Sequence, residues 1–319
     1  MSGYALLFPG QGAQHPGMGK SLAQHYAGAR SVYEAADECL GYPISTLCFE
    51  GDADALRPTS TAQPAIAVTS LAALAALEDE LGHQVAPVAV AGHSLGEYTA
   101  TIAAGALTVE AGLRLIAERG RLMQAAAEAR PGAMAAVLGI DSERCADACA
   151  AARSFGQCVV ANDNAPGQQV ISGDPPAVAR AAELATQAGA RRVVPLAVAG
   201  AFHSEHMRSA EEALRAALTA AGVGPARWPV IGNVGAGWLM SGDDILDELG
   251  AQMTSPVRWR SSMESMCRAG IEVFVELGPG NVLAGLAKRC VPSALAVSVS
   301  DEHGVAEAAD LLRALDGAR

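Results

Sequence analysis

Hydrophobic positions along the chain follow two rhythms. Short unbroken apolar runs read as strands covered on both faces. The first is Tyr4–Phe8, entering the turn Pro9-Gly10-Gln11-Gly12, and the next strong one is Val88–Ala91, entering Gly92-His93-Ser94-Leu95-Gly96. Elsewhere the spacing lengthens to that of helices, over Gly19–Tyr26, Ala29–Cys39, Glu97–Ala104 and Val109–Ala129. Residues 59–77 carry no charge, but Gln63, Pro64 and several hydroxyls interrupt them, which predicts a buried helix from about Gln63 and not a membrane span. Apolar strands bounded by glycine and alternating with helices predict a parallel sheet in an α/β fold.

The middle of the chain has a different order. Ala133–Leu138 reads as strand, Ser142–Ala152 as helix, Gln157–Ala161 and Gln168–Ser172 as strands, Pro175–Ala188 as helix and Arg191–Pro195 as strand. That βαββαβ order predicts a ferredoxin-like small domain over 131–197, inserted into a large domain made of 1–130 and 198–319. The α/β pattern resumes afterwards, with strands near Pro229–Asn233 and at Val273–Leu277.

Composition narrows the possibilities. With 319 residues, half of them hydrophobic but only 4% aromatic, the core must be built mainly from Ala, Val and Leu. A net charge of −12 argues against a nucleic-acid binder and against affinity for anionic membranes, so no nucleic acid or membrane partner is expected. Basic residues cluster only at Arg191-Arg192, Arg258 with Arg260, and Lys288-Arg289, and such pairs are ordinarily solvated surface. Seven scattered cysteines with no C-x-x-C fit reduced thiols, and no segment reads as a signal peptide; a cytoplasmic protein is expected.

Gly92-His93-Ser94-Leu95-Gly96 fits G-x-S-x-G in the strand-to-helix context that the motif requires. A tight turn there lifts the Ser94 hydroxyl clear of the backbone, and the helix start aims free N–H groups at charge developing beside it. The bland alternative is a glycine-rich turn with a capping serine. A serine needs a base. Of seven histidines, His203 is the best placed, just past an apolar run in Ala201-Phe202-His203-Ser204, where open α/β folds gather their active groups. His93 lies within the turn and is expected to shape it. His206 forms an H-x-x-H with His203, but no carboxylate or cysteine completes a ligand set, so no metal site is expected. Arg119, in Glu118-Arg119-Gly120-Arg121, reads from its own context as a helix-surface arginine paired with a glutamate.

Taken together these segments resemble the malonyl-CoA:acyl carrier protein transacylases and the related acyltransferases of polyketide synthases. The resemblance runs nearly end to end. It includes Phe8–Gln14, Gly92–Tyr98, Arg119–Gln124, Asn162–Gln168, Phe202-His203-Ser204, Gln252 with Pro256–Trp259, and Glu276–Gly280. It implies an α/β-hydrolase-like large domain around the ferredoxin-like insert, with Ser94 as the acylated nucleophile. It implies His203 as the base, oriented by backbone carbonyls, and the N–H groups of Gln11 and Leu95 as the oxyanion hole. Arg119 would grip the malonyl carboxylate, Gln252 would line the site, and Phe202 would crowd an α-methyl branch. Phe202 reads equally well as a core aromatic. Polyketide members that use malonyl often have His-Ala-Phe-His where this chain has Gly200-Ala201-Phe202-His203. The implied reaction is ping-pong transfer of malonyl from coenzyme A to the phosphopantetheine thiol of an acyl carrier protein, for fatty-acid or polyketide synthesis. The chain would act as a monomer without a cofactor of its own. The alternatives are a related acyl hydrolase, transfer of another acyl group, and an idle carrier-binding subunit, which would be expected to have lost Ser94 or His203.

Overall fold

Period-two alternation in the first strand sends its side chains to opposite faces. Tyr4, Leu6 and Phe8 enter one hydrophobic core and Ala5 and Leu7 a second. The structure, a computed structural model, describes residues 3–198 and 200–317. The first strand, β1, spans Tyr4–Phe8, and the helices α1 (Lys20–His25), α2 (Ala27–Leu40), α3 (Ile44–Glu50) and α4 (Thr59–Leu81) follow it. Next come β2 (Ala89–Gly92), α5 (Leu95–Ala103) and α6 (Val109–Ala129). The middle segment holds β3 (Ala133–Leu138), α7 (Ser142–Ala151), β4 (Cys158–Ala165), β5 (Gln168–Gly173), α8 (Pro175–Gln187) and β6 (Arg192–Pro195). The rest comprises α9 (Arg208–Ala221), β7 (Val230–Ile231), β8 (Trp238–Leu239), α10 (Gly242–Gln252) and α11 (Trp259–Arg268). It ends with β9 (Val273–Leu277), α12 (Val282–Cys290), β10 (Leu295–Val299) and α13 (Glu302–Gly317).

The main sheet has six strands in the order β10-β9-β1-β2-β7-β8. All its pairings are parallel except β7 with β8. Helices cover both faces. The face that carries Ala5, Leu7, Ala89, Ala91, Phe274 and Ala296 packs into a second core with Trp259 and Met263 of α11 and Leu283 and Leu286 of α12. The opposite face carries the larger core, which takes in α2, α4, α6 and α13.

The middle segment makes its own four-stranded antiparallel sheet, order β4-β5-β3-β6. That order is what a βαββαβ unit gives when its first and third strands pair at the centre. One face of this sheet and α7 and α8 enclose a separate core that includes Val137, Cys149, Cys158, Ile171 and Val178. Met134, Ala161 and Val170, from its strands, belong instead to the large core. Backbone bonds tie β4 to the segment between α10 and α11: Asp163 N–H donates to Val257 O at 2.9 Å and Val257 N–H to Ala161 O at 2.8 Å.

Some elements differ from the sequence reading for identifiable reasons. Helix α4 begins at Thr59, ahead of the expected start near Gln63, with Pro64 inside it. Pro64 lacks the N–H that would reach Ser60 O, so α4 runs through it with one backbone bond missing. By length and composition α4 could cross a membrane, yet most of it is buried inside the fold. Strand β4 runs past Ala161 to Ala165 through register shifts at Val160/Asn162 and Asp163/Ala165, which the alternation rule does not foresee. Strand β10 was not expected at all, because Leu295 faces solvent and only Ala296 and Val299 are buried.

Candidate active site

The site lies where β1 and β2 end side by side, with Phe8 in register with Gly92. In a parallel sheet the carboxyl ends of central strands are where a crevice opens. From β2 the chain makes a sharp turn into α5, and Ser94 sits at φ 52°, ψ −106°. Non-glycine residues rarely take positive φ, so the surroundings must enforce it. They do so by close approach. A Cβ on Gly92 would lie 1.9 Å from the Gly96 carbonyl carbon, and one on Gly96 would lie 1.9 Å from Phe8 O. Asn233 braces the turn from the other side. Its Nδ2 donates to Gly92 O and its Oδ1 accepts the Ser94 N–H, both at 2.7 Å.

Ser94 and His203 meet: the hydroxyl donates to His203 Nε2 at 2.8 Å. His203 also holds positive φ, 56°, and is buried. Its Nδ1–H lies 3.1 Å from both the Gln252 and the Ser255 carbonyl oxygens. Two acceptors at Nδ1 place the proton there and leave Nε2 free to accept. Among the described residues no carboxylate bonds to the ring. Burial, followed by the nearby Arg119 charge, holds the imidazole down at about 3, so it is neutral at physiological pH.

Arg119 departs from its sequence context. Its neighbours pair with each other on the helix surface, Arg121 with Glu118, while Arg119 itself points inward and is 0% exposed. Nη1 donates to Gln63 Oε1 and Nη2 to Gln252 Oε1, both at 2.7 Å, and Nη2 lies 3.2 Å from Ser94 Oγ. The Tyr98 ring lies under the guanidinium, 4.8 Å from centroid to Cζ. The Nε–H has no hydrogen-bond partner among the described residues. A fully buried cation thus rests on two neutral amides, and among the described residues no carboxylate forms an ion pair with it. Both amides are oriented by their other partners. Gln63 Nε2 faces Met123 Sδ at 3.2 Å, and Gln252 Nε2 donates to Ser94 O at 2.8 Å and to Glu97.

The other expected residues fall nearby or apart. Gln11 lies in the loop after β1, its side-chain amide donating to Thr59 Oγ1 at 3.3 Å. Leu95 is the first residue of α5. Neither backbone N–H has a hydrogen-bond acceptor among the described residues. Phe202 is buried with the large core, and its carbonyl accepts from Ser172 Oγ at 2.8 Å. His93 shapes the turn as expected, with Nε2 2.8 Å from Asn164 Oδ1 on β4. His206 does not join His203; its Nε2 lies 3.0 Å from Asp174 Oδ1, at the start of α8. Among the described residues no group of histidine, cysteine and carboxylate side chains could hold a metal ion. Of the basic clusters, Arg289 is committed to Pro166 O and Gln168, and Arg260 to Glu264.

Four contributors had gone unassigned: Gln63, Glu97, Asn233 and Ser255. Two left a trace, since Gln63 is a lone amide in the charge-free segment 59–77 and Glu97 the lone charge in α5. Ser255 acts through its carbonyl, which has no sequence signature.

Fold and site together define an α/β protein with a serine–histidine pair at a strand-to-helix turn and a buried arginine beside it. Residues 5–309 match the acyl transferase domain family, and the chain belongs to that family. The malonyl CoA-acyl carrier protein transacylase of Bacillus subtilis (strain 168) is 42% identical over 98% of this chain and 98% of its own. Among solved structures, an acyl carrier protein S-malonyltransferase from Vibrio cholerae superposes with a TM-score of 0.92 at 38% identity, covering 96% of this chain and all of that one. A malonyl-transacylase in complex with its type II polyketide acyl-carrier protein gives 0.92 at 36% identity, over 97% of this chain and 99% of that one.

Proposed function

We propose that the protein transfers malonyl from coenzyme A to the phosphopantetheine thiol of an acyl carrier protein, for fatty-acid or polyketide synthesis. The observation that carries this reading is Arg119, a buried guanidinium without a carboxylate partner, with an unused Nε–H and 3.2 Å from Ser94 Oγ. A carboxylate on the acyl group completes such a fork with two charge-assisted bonds. An acetyl group leaves the cation unpaired, and an unpaired buried charge is costly.

In this mechanism Ser94 Oγ attacks the thioester carbonyl as its proton passes to His203 Nε2. The oxyanion is received by the free N–H groups of Gln11 and Leu95; removing one such donor typically slows a reaction by about 10²–10³-fold. His203 then gives its proton to the departing thiolate, leaving malonyl-Ser94. The carrier thiol repeats the sequence in reverse. The Gln252 and Ser255 carbonyls keep the imidazole in the required tautomer without adding a negative charge. An imidazole held so low is a weak base but a ready proton donor, which suits a thiolate leaving group. Gln252 also aims Arg119 at the acyl group, and Phe202 crowds a branched acyl chain. Both thioesters belong to the substrates, so this scheme uses no cofactor. We further propose that the chain acts as a cytoplasmic monomer, with residues 131–197 as the inserted subdomain. An acidic carrier would approach along basic side chains such as Arg191, Arg192 and Lys288, which are exposed.

The test is intact-mass detection of the acyl-enzyme after incubation with malonyl-CoA. The wild type should gain one malonyl, Ser94→Ala none, and holo carrier protein should discharge the adduct far faster than water does. A malonyl adduct on Ser94→Ala removes Ser94 from the chemistry. Discharge that ignores the carrier makes the protein a hydrolase.

A further inference from the structure

Glu97 lies in the first turn of α5, and the mechanism above gives it no role. Its carboxyl is 0% exposed and sits between two donors. The Asn233 N–H reaches Oε1 at 3.2 Å and Gln252 Nε2 reaches Oε2 at 2.5 Å. Each donor leads to a different part of the site. The Asn233 side chain braces the turn through Ser94 N–H and Gly92 O, whereas Gln252 accepts from Arg119 Nη2. One carboxyl therefore reaches both the nucleophile's backbone and the guanidinium, through a single residue in each direction.

The orientation of the Gln252 amide depends on this contact. Its NH2 faces only acceptors, the Glu97 carboxyl and Ser94 O. Reversing the amide would set its oxygen against those two oxygens and its NH2 against a guanidinium N–H. With Glu97 present, the Gln252 oxygen has to face Arg119. We propose that Glu97 is a positioning residue for acyl selection, locking the Gln252 amide so that Arg119 is held in line with Ser94 for a carboxylate-bearing acyl group. The proposal rests on the reading of Arg119 given above. Burial and then Glu248 push the Glu97 carboxyl well above its ordinary range, against the opposing pull of Gln252, Asn233 and Arg119.

Glutamine at this position has one oxygen for two donors, so it must release Gln252 or Asn233. The experiment measures kcat and KM for malonyl-CoA and acetyl-CoA in Glu97→Gln and Glu97→Asp, after circular dichroism and thermal unfolding establish that each variant folds. Malonyl kcat/KM should fall about 10-fold or more in Glu97→Gln, the scale of one lost hydrogen bond in a charged network, while the acetyl value stays within about 3-fold. Aspartate keeps both oxygens and should recover part of the malonyl:acetyl ratio. If Glu97→Gln does not fold, the ratio measured for Glu97→Asp against wild type decides. Equal losses on both donors, or an unchanged ratio, would overturn the proposal. A wild type that shows no malonyl preference would overturn the Arg119 reading itself, and this outcome is visible before any variant is made.

Discussion

Replacing Arg119 by alanine tests the reading of the site most directly. Two of its donor groups are committed to Gln63 and Gln252 at 2.7 Å, and the Nε–H is unpaired. A malonyl carboxylate at Nε and an adjacent Nη proton makes two charge-assisted bonds, each about 1.5–3 kcal/mol. Together that is about 3–6 kcal/mol, or about 10²–10⁴-fold in kcat/KM. Acetyl-CoA makes neither bond and faces a buried cation in the wild type, so its kcat/KM should hold or rise. Lysine restores a charge but not the planar fork, so Arg119→Lys should recover little.

Rapid-quench measurement of Ser94 acylation against donor concentration, read by intact mass, gives both constants for each donor. Thermal unfolding of the variant must accompany it, because truncation leaves the Gln63 and Gln252 oxygens buried without their donor. The ratio of the two donors is insensitive to a general loss of folded enzyme. A malonyl:acetyl ratio within about 3-fold of wild type would refute the argument, because two lost charged bonds cannot be that small.

The state of His203 predicts the pH behaviour. With the imidazole held at about 3 against 6.5 in the unfolded chain, the basic form persists and acylation should show no inflection between about pH 8 and about pH 5. Between those two values the unfolded chain binds a proton that the folded one refuses, so this residue makes stability fall as pH drops from 6.5 toward 3. A rate inflection near 6.5 in the free enzyme would contradict the burial argument. At the turn, Gly96→Ala would set a Cβ 1.9 Å from Phe8 O, where backbone must move. Overpacking of this kind costs about 1–3 kcal/mol or more, and an unchanged Tm would show that the turn is looser than described.

The fold was legible wherever one face of an element is unmistakably apolar. Strands β1 and β9 coincide with their unbroken hydrophobic runs, and the βαββαβ order of the insert follows from its alternating segments. Legibility failed at edges. Leu295 points outward and β7 is only two residues long, so neither β10 nor the true extent of β7 stands out from loop. At the site, Ser94 was readable because a strand, two glycines and a helix surround it. The role of Arg119 was not readable from its neighbours, since Glu118 and Arg121 advertise a surface helix that their own pairing does form. The groups that orient His203 could not have been found as residue types, because they are the carbonyls of Gln252 and Ser255.

A serine–histidine pair backed by a carboxylate would place a fixed negative charge beside the nucleophile, within reach of the Arg119 field. Such a carboxylate would compete with the substrate for the guanidinium. Here, among the described residues, every first neighbour of both His203 and Arg119 that accepts a hydrogen bond is neutral: two backbone carbonyls for the ring, two amides and a hydroxyl for the guanidinium. The buried Glu97 carboxyl is set behind the Gln252 amide, and burial pushes it above the usual carboxylate range. The fold therefore carries the desolvation penalty of a cation that it leaves incompletely satisfied, and an acyl group bearing a carboxylate relieves it. On the proposed reading of Arg119, selectivity arises because only such a donor removes a strain already present in the free protein. Burial holds the imidazole low, and the neighbouring Arg119 charge pushes the same way.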